Sequence, residues 1–237
     1  MSDINLQRRN FLKTAAGAAM VTVAPGMLLF DVAHGNPQSV GKVRWGMLID
    51  TAACVPGCND CVTACNNENG LSGGTATTDS QWIRKIEIKD ISSRREVSLP
   101  MMCQHCESPP CVEVCPTGAS FKRVDGIVLV DKHLCIGCRY CMMACPYKAR
   151  SFVHEPLQGQ NPDVPRGKGT VESCTLCVHR IDQGGKPACA EACPNKVILF
   201  GDLNDPSSEI AQKLHSVSTT QLRADLKLNT GVRYQGL

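Results

Sequence analysis

The chain has 237 residues with 25 Lys and Arg against 22 Asp and Glu, and this formal net charge of +3 is too even for a nucleic-acid surface. Aromatic residues make up 4% of it, so few large side chains are available to build a core. Sixteen residues are cysteines, and they dominate every other feature of the composition.

At the N-terminus, Q-R-R-N-F-L-K sets Arg8 and Arg9 before an apolar stretch from Ala15 to Phe30 that Gly17, Thr22 and Pro25 interrupt. The stretch falls short of the roughly 20 apolar residues of a membrane span. It reads as the apolar region of an export signal, and the arginine pair resembles the twin-arginine class. An ordinary secretory signal and an uncleaved anchor are the alternatives. Ala33-His34-Gly35 is a candidate cleavage site, which gives residues 1–35 as the signal peptide. Without Arg8, Arg9, Lys13, Asp3 and Asp31 the remainder stays close to neutral.

A strand is expected over 43–50, leading into a first group of cysteines, Cys54, Cys58, Cys61 and Cys65. The glycine-rich stretch 70–80 is a loop, and 82–89 has strand composition. The second group, Cys103, Cys106, Cys111 and Cys115, begins after Pro100. S-F-K-R-V-D-G-I-V-L-V-D then predicts a hairpin, with Asp125-Gly126 at the turn and β-branched residues on both sides. Cys135, Cys138, Cys141 and Cys145 form the third group. Proline and glycine over 155–170 mark a linker or surface loop. Cys174, Cys177, Cys189 and Cys193 complete the series. Residues 197–200 read as a closing strand, and the tail 205–237 carries one short helix over 208–215.

The cysteine spacing points to iron–sulfur chemistry. Four thiolates hold one [4Fe–4S] cube, so sixteen match four cubes with none left over. The third group, C-I-G-C-R-Y-C-M-M-A-C-P, has the C-x2-C-x2-C-x3-C-P spacing in which the fourth cysteine ligates the other group's cluster. Three cysteines in a tight turn aim their sulfurs at three corners of one cube, and the fourth, a turn further on, faces a second cube. The following proline lacks an N–H and has a fixed φ, so it redirects the chain. Pro116, Pro146 and Pro194 hold that place, whereas Asn66 follows Cys65. Eight disulfides or structural zinc are the competing readings. Neither explains three cysteines within seven residues followed by Cys-Pro.

Groups two to four resemble those of the four-cluster iron–sulfur subunits that accompany NrfD-type membrane proteins. That family includes the subunits of polysulfide, tetrathionate and dimethyl sulfoxide reductases and the nitrite reductase partner NrfC. The similarity covers about 43–202. Within it, W-G-M-L-I-D and C-N-D-C-V-T-A-C-N-N-E-N-G are most similar to the DsrO-type subunits of the DsrMKJOP complex of dissimilatory sulfur metabolism. The resemblance implies an α+β fold of two ferredoxin-like modules of the bacterial 2[4Fe–4S] kind, one inserted in the other. The outer module would span 43–94 and 153–204, and the inner one 95–152.

The resemblance also implies crossed ligation. One cluster would use Cys135, Cys138, Cys141 and Cys115, and its partner Cys103, Cys106, Cys111 and Cys145. The outer pair would use Cys54, Cys58 and Cys61 with Cys193, and Cys174, Cys177 and Cys189 with Cys65. Cys54-Val-Pro-Gly-Cys58 has three intervening residues where two are usual. A Pro56-Gly57 turn would absorb the extra one; otherwise that cube would have a non-cysteine corner or three irons.

The implied function is a periplasmic electron-transfer subunit, not itself an enzyme. It would link an integral membrane, quinone-interacting NrfD-type subunit (DsrP-like) to a multihaem cytochrome (DsrJ-like), beside other DsrMK-like subunits. Electron delivery to a periplasmic molybdopterin or nitrite reductase is the alternative. No nucleotide loop or nucleophile arrangement is visible. His105 and His179 sit beside cluster cysteines as polar neighbours rather than ligands. Arg139, Lys148, Arg150, Arg180 and Lys186 lie within a few positions of ligands. A positive charge about 6 Å from a cube, at an effective dielectric of about 20, favours its reduced form by about 3 kcal/mol. Solvated surface charges are the competing reading. The residues 232–237 would either pack against a partner subunit or be disordered.

Overall fold

A computed structural model describes residues 43–237 except 75, 90 and 93, together with the backbone of two short strands, β1 (Val21–Ala24) and β2 (Met27–Leu29). These two pair antiparallel within a unit of residues 1–40. Arg8, Arg9 and the candidate cleavage site at 33–35 lie outside the described residues.

Residues 41–237 make a second compact unit, of mixed helix and small sheets. Its largest sheet centres on β3 (Trp45–Asp50). Met47, Leu48 and Ile49 are all buried, the pattern of a strand covered on both faces. The expected closing strand is present as β10 (Ile198–Asp202) and pairs antiparallel with β3. On its other edge β3 pairs in parallel with β12 (Val232–Gln235), which in turn pairs with β11 (Thr219–Thr220). The C-terminal residues are therefore part of the sheet, with Val232 and Tyr234 fully buried and Leu237 exposed. Gly46 permits this pairing, because a Cβ there would collide with the Gly231 carbonyl.

The predicted strand at 82–89 is β4 (Ile83–Lys89), and it pairs with β5 (Glu96–Met102). Sequence reasoning placed no strand at 96–102, since Ser98 and Pro100 disguise it. Pro100 is tolerated because the sheet has two strands and hence two free edges. The expected hairpin forms from β6 (Ser120–Lys122) and β7 (Val128–Val130), with Gly126 at φ 87°. β8 (Ser151–Phe152) and β9 (Val171–Glu172) close a further hairpin around the stretch read as a linker.

That stretch is firmly held. Arg166 and Glu172, both buried, form a two-pronged ion pair at 2.9 and 2.8 Å, and Asn161 donates to the Glu68 carbonyl at 2.8 Å. Burial alone would raise the Glu172 pKa, but Arg166 and Ser80 hold it below the usual carboxylate value. Glu172→Ala leaves Arg166 buried without a counter-charge, which costs about 3–5 kcal/mol. Chemical denaturation of the iron-loaded protein checks this, and a loss under about 1 kcal/mol refutes it.

Helices are short. α1 (Asp60–Asn69) follows the first two cysteines and ends on left-handed Gly70 at φ 62°. α2 (Pro110–Glu113) packs against α3 (Tyr140–Ala144), and α1 packs against α5 (Ala188–Glu191), which follows α4 (Val178–Ile181). The predicted tail helix is α6 (Glu209–Ser216), whose cap Ser208 accepts from the Ala211 N–H at 3.2 Å. Among the described residues no helix is long and apolar enough to cross a membrane.

Candidate iron–sulfur sites

The helices α1 to α5 each carry or adjoin a cysteine group, so the secondary structure is organised around sulfur. Among the described residues the sixteen thiols are free. Cys54, Cys58, Cys61 and Cys193 line one open space of about 330 Å³, with Lys85 and Pro100 at its wall. Pro56-Gly57 does form a turn, with the Cys58 N–H bonded to the Val55 carbonyl and Gly57 at φ 78°. The longer C-x3-C spacing thus still brings Cys54 to the same space. Cys115, Cys135, Cys138 and Cys141 line another, of about 300 Å³. Gly137 belongs to this loop: its φ of 71° and the Gly169 carbonyl pressed against it exclude any side chain.

The remaining cysteines are tied to one another across groups. The Cys174 thiol is raised well above its ordinary pKa, first by burial and then by Cys65, Cys189 and Cys177. Cys106 is pushed up to about 12 by burial and then by Cys111 and Cys145, and burial followed by the same two cysteines raises Cys103. In the spaces at Cys54 and at Cys138 the fourth sulfur comes from another cysteine group.

The donor chemistry fits a cluster. Among the described residues no three His, Cys, Asp or Glu side chains close on a point that would hold a single ion. Two of the sets instead line open spaces with room for a larger group. Burial lifts Cys61 to about 11 and Cys189 to about 12, because a thiolate there lacks water to solvate it. A multiply charged iron group would compensate for that loss. N–H groups already point at sulfur: Ser120 to Cys115 at 3.4 Å, Val171 to Cys135 at 3.4 Å, Leu176 to Cys174 at 3.4 Å and Val197 to Cys193 at 3.3 Å. The Cys115 thiol, which slight burial raises, ends below its ordinary value through such bonds from Ser120, Thr117 and Ala119.

Of the basic residues singled out by sequence, Lys148, Lys186 and Arg139 are exposed; Arg139 lies over the Phe152 ring at 3.8 Å. Arg180 pairs with Glu191 and Glu68. Arg150 alone among them is buried, 5% exposed, and its Nη2 donates to Cys111 Sγ at 3.1 Å. The surface-charge reading therefore holds for Lys148 and Lys186 and fails for Arg150. Sequence reasoning missed Lys85. It sits on β4, far along the chain from the cysteines it faces, yet its Nζ donates to the Val55 carbonyl at 2.8 Å and also to that of Cys58.

His105 is buried and kept neutral, its pKa lowered to about 3 by burial and then by Arg150. Its Nδ1 accepts from the Val128 N–H at 3.0 Å, so the proton sits on Nε2, which has no partner among the described residues. His179 bonds Glu68 at 2.7 Å. Both are neighbours of the sulfurs rather than members of the fours.

A family model described as a 4Fe-4S dicluster domain matches residues 95–203. The chain is 40% identical to the Hdr-like menaquinol oxidoreductase iron-sulfur subunit 1 of Archaeoglobus fulgidus, over 98% of each chain. It is 38% identical to a tetrathionate reductase subunit of Salmonella typhimurium, over 90% of this chain and 80% of that one. Against the NrfC protein of Escherichia coli K12 the identity is 37%, over 92% and 90%. With its ferredoxin-like small sheets and sulfur-lined spaces, the chain belongs to the family of iron–sulfur subunits of membrane-associated oxidoreductase complexes, which transfer electrons and do not themselves carry the catalytic site.

Proposed function

We propose that this chain carries four [4Fe–4S] clusters and relays electrons through them between a membrane quinone-interacting subunit and a periplasmic redox partner. The reading is supported by two spaces, each lined by three cysteines of one group and a fourth from another, and by the repulsions that tie Cys174 to Cys65 and Cys106 to Cys111 and Cys145. The ligand sets are Cys54, Cys58, Cys61 and Cys193; Cys65, Cys174, Cys177 and Cys189; Cys103, Cys106, Cys111 and Cys145; and Cys115, Cys135, Cys138 and Cys141. The module of 95–152 is inserted within that of 43–94 and 153–204. The packing of α1 on α5 and of α2 on α3 supports this nesting.

When bound, each cube accepts and releases one electron. The chain's own contribution is to hold the sulfurs apart at fixed corners, to donate backbone N–H groups to them, and to keep water from most of them. Hydrogen bonds to sulfur and exclusion of solvent are the levers by which a protein sets a cluster's potential. Cys138 is the exposed member of the sixteen, which leaves its set the most open to water.

The partners proposed are an NrfD-type membrane protein (DsrP-like), a multihaem cytochrome (DsrJ-like) and DsrMK-like subunits in dissimilatory sulfur metabolism, with export by the twin-arginine route. The likeness to the tetrathionate reductase subunit and to NrfC favours a second reading, electron delivery to a molybdopterin or nitrite reductase. Anaerobic isolation of the native complex tests both. The chain should bring down an integral membrane subunit and contain about 16 irons, four for each cube. A colourless chain without iron overturns the proposal. Co-isolation of a molybdopterin subunit in place of a cytochrome selects the second reading. Cys54→Ala should remove between about one and four irons per chain, as a corner or a whole cube is lost. An unchanged iron content would mean Cys54 is not a ligand.

A further inference from the structure

Arg150 presents an unusual situation for a buried guanidinium. Its Nη2 donates to Cys111 Sγ at 3.1 Å and to Ser120 Oγ at 2.7 Å. Nε and Nη1 are buried with no nitrogen or oxygen partner among the described residues, and the charges that act on it are those of cysteines rather than of a carboxylate. A buried charge left without a counter-charge is strongly destabilising. The negative groups around it are sulfurs from two different fours. Cys111 and Cys103 belong to the set completed by Cys145, and Cys141, which packs in the same small buried cluster as Cys111, belongs to the set completed by Cys115.

We infer that Arg150 is a positioning residue shared by two clusters, a single fixed cation lodged between the two inner sets that favours the reduced form of both. The inference rests on the cluster reading given above. Its remaining N–H groups are the donors left to face inorganic sulfide or thiolate on either side. Each cube gains one electron on reduction while the guanidinium keeps its proton throughout, so no proton transfer accompanies the effect. A lysine at this place would keep the charge but, with one ammonium, not the reach to both sides at once. Two other groups face Arg150. His105 stays neutral and contributes no charge, and Lys132 Nζ donates to the carbonyl of Val171 at 2.7 Å, the residue whose own N–H donates to Cys135 Sγ. Lys132 is therefore the one-sided counterpart of Arg150.

Redox titration of the anaerobically purified full-length chain, followed by EPR, tests this. In Arg150→Met two of the cluster signals should move to lower potential together, each by at least the tenfold change in a one-electron equilibrium that corresponds to about 59 mV. Lys132→Met should move one. If iron content stays at the wild-type level and Arg150→Met shifts a single signal or none, the inference is overturned. Should Arg150→Met fail to retain iron, a second measurement decides. With arginine labelled by nitrogen-15, pulsed EPR of the wild type should show weak nitrogen coupling on two cluster signals that Arg150→Lys removes from both. Coupling lost from one signal or none refutes the sharing. A wild-type chain lacking iron would instead overturn the cluster reading itself.

Discussion

Stripped of iron under reducing conditions, the chain will lose its cooperative thermal transition. The core explains why. Cys61, Cys65, Cys103, Cys106, Cys145, Cys174 and Cys189 are part of the same buried cluster as Met47, Ile49, Trp82 and Tyr234. A core built partly of thiols around open spaces is incomplete until those spaces are filled. Where a metal site does not exist in the unfolded chain, the free energy of binding the metal is free energy of folding, about 10–16 kcal/mol for a structural metal held by a small domain. A contribution of that size rivals the whole stability of an ordinary domain, about 5–15 kcal/mol. Circular dichroism of iron-free protein should show no sigmoidal melt, and a cooperative one would refute the argument.

Any residual structure in that iron-free chain has a defined pH dependence. Its buried thiols have folded-state pKa values raised above the ordinary one, to about 11 at Cys61 and about 12 at Cys106 and Cys189. The folded state then binds more protons than the unfolded state above about pH 9, so its stability falls as pH rises. Residual ellipticity should be constant below about pH 8 and decline between about pH 9 and 12. Iron-loaded protein behaves oppositely, since its ligands must stay deprotonated and acid releases the metal.

Removal of residues 231–237 is the second large effect. The deletion takes out β12 and with it the parallel ladder to β3 and the antiparallel one to β11. Val232 and Tyr234 are fully buried, and losing two such side chains costs on the order of 5 kcal/mol. The Tyr234 hydroxyl also donates to the Pro100 carbonyl at 3.1 Å and accepts from Gln104 Nε2 at 3.1 Å, beside Cys103. Gly231 N–H reaches the Gln104 carbonyl at 2.8 Å. The truncated chain should therefore melt at least about 10 °C lower, at about 2–4 °C per kcal/mol for a chain of this size. Its iron should leave the set of Cys103, Cys106, Cys111 and Cys145 first. A truncated protein with unchanged melting and iron content would contradict this.

The elements legible from sequence were those whose causes are local. Ser208 ahead of a polar-apolar alternation at helical spacing announces α6 by its own cap. Asp125-Gly126 between β-branched runs announces the β6–β7 hairpin through the positive φ that glycine accepts. β5 was invisible because Pro100 breaks strand composition, and only a free sheet edge makes it acceptable there. The stretch around Arg166 looked like a linker because proline and glycine report where regular helix and strand stop, not the ion pair to Glu172 that fastens it.

The spacing of sixteen cysteines by itself determined the donor chemistry, thiols in four closely spaced groups, because a cube demands thiols at short, regular intervals along the chain. Tertiary structure alone decided what surrounds those sulfurs. Lys85 reaches Cys58 and Val55 from a strand across the fold, Arg150 ends beside Cys111 rather than at the surface, and the last residues fill a sheet edge next to β3. Sulfur spacing is a property of neighbouring residues and can be written in a short motif. Burial and charge are properties of distant segments brought together, and no local pattern records them.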